Sequence, residues 1–354
     1  MGGRVTGRFR RSKPESARLA GPHAEKTVSL ALQGGGAHGA FTWGVLDAIL
    51  KDGRLGIEAV TGASAGAINA VVMVEGWLNG GIDGARSQLE TFWRKASVGS
   101  SLSSLQRGLL RQMLGYWRNQ PWMTAVTQNL GPYQVNPLNI NPLRAAIDAL
   151  IDFDLVRAAP DVKVFISATN VWTGKITIFR KAELTANHLM ASACIPTVFQ
   201  AVEIDGVPYW DGGYTGNPAL FPLYYETNTD DILLVQINPL ERRQTPRTVR
   251  EIENRLNEIT FNGTLLRELR AVAFVQRLIT DGKLSAKDYK DVHLHRIDGA
   301  GALDKYHASS RLITEWDFFK KLRDAGRQAG QAWLAENYDE IGVRTTVDLE
   351  SVLR

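Results

Sequence analysis

The segment Gly62-Ala63-Ser64-Ala65-Gly66 sets a serine between two glycines, after an apolar run at 57–60 and before a second apolar run from 67 to about 77. A serine on a tight strand-to-helix turn is held in strained backbone geometry that exposes its hydroxyl. The helix that follows directs its positive dipole end toward a developing oxyanion. The pattern therefore suits nucleophilic attack on a carbonyl, with Gly62 and Gly66 letting the chain pass closely on either side.

A second glycine-rich turn, Gly34-Gly35-Gly36-Ala37-His38-Gly39, precedes it. This turn also fits G-x-G-x-x-G, which a dinucleotide site would use. Such a site needs an acidic residue at the end of the next strand. Glu58 stands near the start of that strand, and Thr61-Gly62 stands at its end, so the condition fails. An oxyanion hole accounts for the same glycines, because backbone N–H groups of Gly34, Gly35 and Gly36 could converge beside the serine of the neighbouring strand. The third element is Trp210-Asp211-Gly212-Gly213, which runs on through Tyr214-Thr215-Gly216-Asn217-Pro218. Here an aspartate follows a hairpin strand, and Gly212 and Gly213 permit a close backbone approach.

A serine nucleophile needs a base. Chain order allows an α/β-hydrolase triad of Ser64, Asp211 and one of His293, His295 or His307. That fold lays down several strands before its nucleophile, whereas one strand precedes the serine turn here.

The three motifs together resemble the patatin-like phospholipase family, in which G-G-G-x-[RK]-G forms the oxyanion hole, G-x-S-x-G carries the nucleophile and D-G-[GA] carries the base. The resemblance covers about residues 28–225, including Ala191-Ser192-Ala193-Cys194-Ile195-Pro196 ahead of the aspartate. It implies a three-layer α/β/α sandwich with a mainly parallel sheet, and a Ser64–Asp211 dyad without histidine. It implies a lipid acyl hydrolase of phospholipase A or lysophospholipase type that needs no metal or cofactor. Related readings are an esterase or acyltransferase on neutral lipid, thioester or polyester, and a silent lipid-binding scaffold. One departure is His38, where the family often has Arg or Lys. A fixed cation beside the turn is thus missing from that position or depends on pH.

The elements that must position these residues can be read from hydrophobic periodicity. A buried strand is expected at 28–32, a helix at 37–50, a strand at 57–60 and a helix from 67, which is the pattern of parallel β/α units. Strand character returns at 162–169, 176–179 and 231–237, and Asp205-Gly206 reads as a hairpin turn between 202 and 210. Helices are expected at 246–280 and 312–336. The reading divides the chain into a disordered basic arm (1–26), a catalytic domain (27–239) and a helical C-terminal extension (240–354). Segment 97–141, with Trp117, Trp122, Met123 and Tyr133, is a candidate lid or acyl-chain channel.

Composition narrows the function class. Of the 354 residues, 44% are hydrophobic and 22% charged, which is ordinary for a globular chain and excludes extensive disorder. No apolar stretch approaches the roughly 20 residues of a membrane-spanning helix, and no secretory signal is evident. The net charge of +4 is concentrated in residues 1–26, where seven basic residues face two acidic ones. The remaining chain carries 34 basic and 35 acidic groups, which argues against a nucleic-acid-binding body. Cys194 is the only cysteine, so neither an intrachain disulfide nor a multi-cysteine metal site can form, and it reads as a small core residue. These features suit a cytoplasmic protein with peripheral contact at a lipid surface, and leave an oligomer open.

Overall fold

Apolar side chains fall on both faces of the central strands, as they do where helices cover a sheet on both sides. The computed structural model describes residues 18–97, 131–139, 141–160, 162–306, 310–311 and 313–353. The strands are β1 (Lys26–Leu32), β2 (Leu55–Gly62), β3 (Lys163–Asn170), β4 (Ile176–Arg180), β5 (Val202–Ile204), β6 (Val207–Asp211), β7 (Asp231–Gln236) and β8 (His293–Asp298). The described helices of five residues or more are α1 (Gly39–Asp52), α2 (Ala65–Ala96), α3 (Pro142–Leu150), α4 (Phe153–Ala158), α5 (Ala186–Ser192), α6 (Phe221–Glu226), α7 (Val249–Thr280), α8 (Trp316–Asn337) and α9 (Leu349–Leu353).

The strands form one sheet in the order β5-β6-β3-β2-β1-β7-β8, with β4 also paired to β3. Strands β1, β2, β3, β7 and β8 run parallel, while β4, β5 and β6 are joined by antiparallel pairings. Leu30, Leu32, Val60, Ile166, Leu233 and Val235 pack in one core with α1, α2 and α8. Ala31, Ala59, Phe165, Ile232 and Leu234 alternate with them and pack in a second core with α6, α7 and α9. This is the expected three-layer α/β/α sandwich.

Local signals set most boundaries. Helix α1 ends at Gly53 in the left-handed conformation (φ 74°), whose N–H donates to the Ile49 carbonyl at 3.1 Å. The turn between β5 and β6 has Asp205 at φ 49° and Gly206 at φ 77°, two successive positive values that suit the twist of a hairpin. Helix α7 starts from a Thr248–Glu251 capping box. Helix α2 is kinked at Gly80 and Gly81.

Two expectations change. The basic arm ends earlier, because Leu19 is buried and exchanges backbone hydrogen bonds of 2.9 and 2.8 Å with Ile57. Residues 1–17 of that arm, and Trp117, Trp122 and Met123 of the candidate lid, lie outside the described residues. The C-terminal third is more than a helical extension, since it adds β8 to the sheet edge and lays α8 across α1. Strand β8 escapes sequence patterning because His293, His295, Arg296 and Asp298 interrupt its apolar residues.

The crossing of α1 and α8 is a backbone contact. A Cβ on Gly44 would lie 1.9 Å from the Arg323 carbonyl oxygen, and one on Gly326 would lie 2.0 Å from that of Phe41. Gly326→Ala is therefore expected to destabilise the fold by about 1–3 kcal/mol through overpacking. The higher helix propensity of alanine, worth about 1 kcal/mol, does not offset this. Gly263 of α7 has open space around its missing Cβ. Gly263→Ala is expected to stabilise by about 0.5–1 kcal/mol. Urea midpoints of the two variants, moving in opposite directions, check both statements.

Candidate active site

Ser64 sits between β2 and α2 with φ 51° and ψ −123°, a left-handed geometry that is uncommon for a residue with a side chain. The turn is kept tight by bonds on every side. Gly66 N–H donates to the Ala63 carbonyl at 2.8 Å. Ser64 N–H donates to the Ser192 hydroxyl at 2.9 Å, from the end of α5. A Cβ on Gly66 would lie 2.1 Å from the Leu32 carbonyl oxygen, so the elbow packs directly against the end of β1.

The Gly34–Gly36 turn leaves β1 beside this elbow. A Cβ on Gly34 would meet the Ala63 carbonyl oxygen at 2.6 Å and Ser64 Cβ at 2.9 Å. The turn is clamped by amides absent from the sequence-level site. Asn217 Oδ1 accepts from Gly34 N–H at 2.6 Å, and Asn238 Nδ2 donates to the Gly34 carbonyl at 2.7 Å. Gln33 Oε1 accepts from Ile237 and Asn238 N–H at 2.9 and 2.8 Å, and its Nε2 donates to Asn262 of α7 at 3.0 Å. Gly34 thus differs from the expectation, since its amide is committed to Asn217 and is not free to face an oxyanion. Among the described residues the amides of Gly35, Gly36 and Ala65 make no hydrogen bond. Ala65 follows the serine and was not singled out by motif, although its place at the start of α2 points its N–H forward.

Asp211 ends β6. Its N–H donates to the Cys194 carbonyl at 2.8 Å, and its carbonyl accepts from the Thr169 hydroxyl at 2.8 Å. Oδ1 accepts from Gly213 N–H at 2.7 Å, while Oδ2 is buried without a hydrogen-bond partner. Burial pushes the Asp211 pKa up to about 6, opposed by the Gly213 amide, the Ser64 hydroxyl and Arg311. Ser64 is close enough to act on the carboxylate, although no full hydrogen bond joins the pair, and such contacts often tighten only around substrate. Gly213 is seated under the Phe261 ring of α7, 2.3 Å from where its Cβ would be.

His38 is buried, and its Nε2 lies 2.7 Å from the Ser310 hydroxyl. Burial, with Arg311 and Arg242 nearby, lowers its pKa to about 3. It is neutral at ordinary pH, so it supplies no cation. Cys194 is buried, with its thiol pushed up to about 12, and donates to the Gln200 carbonyl at 3.0 Å, in keeping with a core role.

The structure brings Ser64, Asp211 and the glycine turn together, and it leaves His293 and His295 elsewhere. Both lie in the first half of β8, where His293 is in register with Asp231, the first residue of β7. The glycine turn follows the opposite, C-terminal end of β1, whose Leu32 pairs with Val235. His295 Nε2 is 2.9 Å from Asp231 Oδ1, so these histidines serve a separate buried pair. His307 lies outside the described residues. Glu58, the carboxylate weighed for a ribose, accepts instead from Asn228 and Thr229 N–H at 2.8 Å each. Among the described residues no group of three or more His, Cys, Asp or Glu could hold a metal ion, and no helix is long and apolar enough to cross a membrane.

The family model for patatin-like phospholipase matches residues 30–224. No curated protein sequence is similar to the chain. Among solved structures it is similar to VipD from Legionella pneumophila, at 13% identity over 94% of this chain and 72% of that one, with a TM-score of 0.44. It is also similar to ExoU in the ExoU–SpcU complex from the type III secretion system of Pseudomonas aeruginosa, at 14% identity over 95% of this chain and 61% of that one, with a TM-score of 0.34. The matched segment contains the serine elbow, the glycine turn and the aspartate, and the chain belongs to the patatin-like phospholipase family of lipid acyl hydrolases.

Proposed function

We propose that the chain hydrolyses the acyl ester of a phospholipid or lysophospholipid through a Ser64–Asp211 dyad. The observation that carries this reading is the unpartnered, buried Oδ2 of Asp211 beside a serine held at positive φ. Asp211 takes the Ser64 proton as the hydroxyl attacks the ester carbonyl. The oxyanion faces the amides of Gly35, Gly36 and Ala65 at the positive end of α2. Asp211 returns the proton to the departing alcohol, then draws a proton from water as it hydrolyses the acyl-enzyme. A carboxylate with its pKa near 6 is a better base than one near 4, and it remains ionised at neutral pH.

The lipid-surface contact is assigned to the outer face of α7. Val249, Ile252, Leu256 and Ile259 recur at helical spacing and are 43–74% exposed, opposite the buried Phe261, Leu265 and Leu269. Arg247, Arg267, Arg270 and Arg277 are exposed along the same helix and its approach, with Glu251 and Glu253 the acidic residues of its first turns. An apolar stripe with arginines suits an anionic lipid surface. The buried face of this helix seats Phe261 on Gly213, so docking there sets the site beside the lipid.

Two outcomes are expected. Fatty-acid release from phosphatidylglycerol, phosphatidylcholine or lysophospholipid, measured with chelator present, is lost in Ser64→Ala and Asp211→Asn. Preference for triglyceride or a thioester would replace the substrate assignment, and no activity on any ester would favour a silent scaffold. The acid limb of kcat/KM falls near pH 6, since Asp211 must be ionised.

Asp211→Asn also reports on stability. The folded state binds this proton more tightly than the unfolded chain, so the wild type loses stability as pH rises from 3.8 through about 6. At about 1.4 kcal/mol per pH decade, the neutral variant gains up to about 3 kcal/mol at pH 8 and nothing below pH 4. Melting temperatures at the two pH values check this.

For the surface, Leu256→Asp with Ile259→Asp is expected to weaken sedimentation with phosphatidylglycerol vesicles at least about tenfold, the equivalent of losing one buried leucine. Hydrolysis of a soluble p-nitrophenyl ester stays unchanged. A change in the soluble reaction with intact vesicle binding would place the stripe in the site instead, and unchanged binding would remove it from the lipid contact.

A further inference from the structure

We propose that Arg311, from the segment between β8 and α8, is the fixed cation of the oxyanion turn and takes over the charge that position 38 does not carry. The proposal rests on the Ser64–Asp211 reading and adds a residue that no motif contains.

The geometry converges on this side chain from three directions. Its backbone is pressed against the glycine turn, since a Cβ on Gly36 would lie 2.4 Å from the Arg311 carbonyl oxygen and 3.2 Å from Arg311 Cβ. Gly36 holds φ 57° there. Its guanidinium lies 5.6 Å from the centre of the Phe261 ring, the same ring that covers Gly213 two residues after Asp211. Its Nε is buried without a hydrogen-bond partner. Arg311 therefore touches the glycine turn through its backbone and Cβ, reaches the ring over Gly213 with its guanidinium, and acts electrostatically on Asp211.

A guanidinium largely withdrawn from water that lacks a close carboxylate is costly to hold, and the cost falls when an anion arrives. No ion pair joins Arg311 to a carboxylate among the described residues. Glu258 of α7, the carboxylate that acts on Arg311 most strongly, is bridged by Arg242 and Arg255 at 2.8 and 3.1 Å. The groups that act on Arg311 are Glu258, Arg242, Asp211 and Tyr214, and Arg311 in turn acts on His38. Burial brings its pKa down to about 10, which leaves it charged at neutral pH. A cation fixed at this point stabilises negative charge on the tetrahedral carbon's oxygen, and it holds Asp211 in its ionised form.

The test measures Arg311→Gln and Arg311→Lys on a soluble p-nitrophenyl ester and on phosphatidylglycerol. Ser64 labelling by a fluorophosphonate and melting temperature are followed in parallel. Arg311→Gln is expected to lower kcat about 100-fold on both substrates with little change in KM, as loss of an oxyanion contact does. Arg311→Lys retains part of the rate. The acid limb of kcat/KM moves to higher pH in Arg311→Gln, because removing a cation raises the Asp211 pKa. A rise in KM confined to phosphatidylglycerol would overturn the proposal in favour of a head-group contact. Wild-type kcat on both substrates, or loss of rate accompanied by an unfolded melting profile in both variants, would also overturn it. If wild type and all variants were inactive and Ser64 unlabelled, the dyad reading itself would fail, a result distinct from the others.

Discussion

The site depends on one close contact, where the end of β1 and the start of α2 touch backbone to backbone. Leu32 and Gly62 are paired in register on adjacent parallel strands, so both βα turns emerge at the same end of the sheet. The Leu32 carbonyl then lies where a Cβ of Gly66 would be, and Ser64 lies against Gly34. Any side chain at these glycines would force the turns apart. Such a turn has no side chains of its own to hold it, and glycine is the residue with the most freedom to lose. The Asn217, Asn238, Gln33 and Asn262 amides answer that need by fixing the turn from the loop after β6, the loop after β7, the end of β1 and α7.

Two buried aspartates in this sheet show how surroundings decide a role. Burial penalises the Asp231 anion as well, but the histidines 293 and 295 and the Gly342 amide more than offset it, and its pKa is held low. Gly342 N–H donates to it at 2.7 Å. It is a satisfied structural anion. Asp211 has one amide on Oδ1 and nothing on Oδ2, so burial wins and the pKa rises. Asp211 is less stable as an anion and, for that reason, better suited to the base role proposed for it.

The sequence made the near-diagonal features of the fold readable. The serine elbow, the glycine turn and the hairpin before Asp211 each occupy a few consecutive residues, and strand–turn–helix periodicity carried them. Contributions made across long separations were not readable. Gln33 and Asn262 are 229 residues apart, and Asn217 and Gly34 are 183 apart. A buried Asn or Gln has no periodic signature, and its partner is named only by the tertiary fold. Strand β8 was hidden for a related reason, since its polar His295 is buried against Asp231 rather than turned to water. At Gly34 the motif led to a donor whose amide is already used by Asn217.

The boundary of the family match sharpens this point. Residues 30–224 hold Ser64, Asp211 and the glycines, yet several groups that fix them lie beyond it. Asn238 holds the Gly34 carbonyl, Asn262 holds Gln33, and Phe261 closes over Gly213. Phe261 and Asn262 are neighbours on α7, so one helix face braces the glycine turn and the aspartate turn at once. Helix α7 in turn is fixed by Leu265, Leu269 and Val272 in the second core, which includes Leu294 of β8. Removing the C-terminal third would therefore leave Ser64 and Asp211, the proposed nucleophile and base, in the chain but take away contacts that brace the turns carrying them. In the proposed dyad no histidine bridges a loosened gap, so its reach is set by backbone placement alone, and the segments that carry that placement belong to the candidate site.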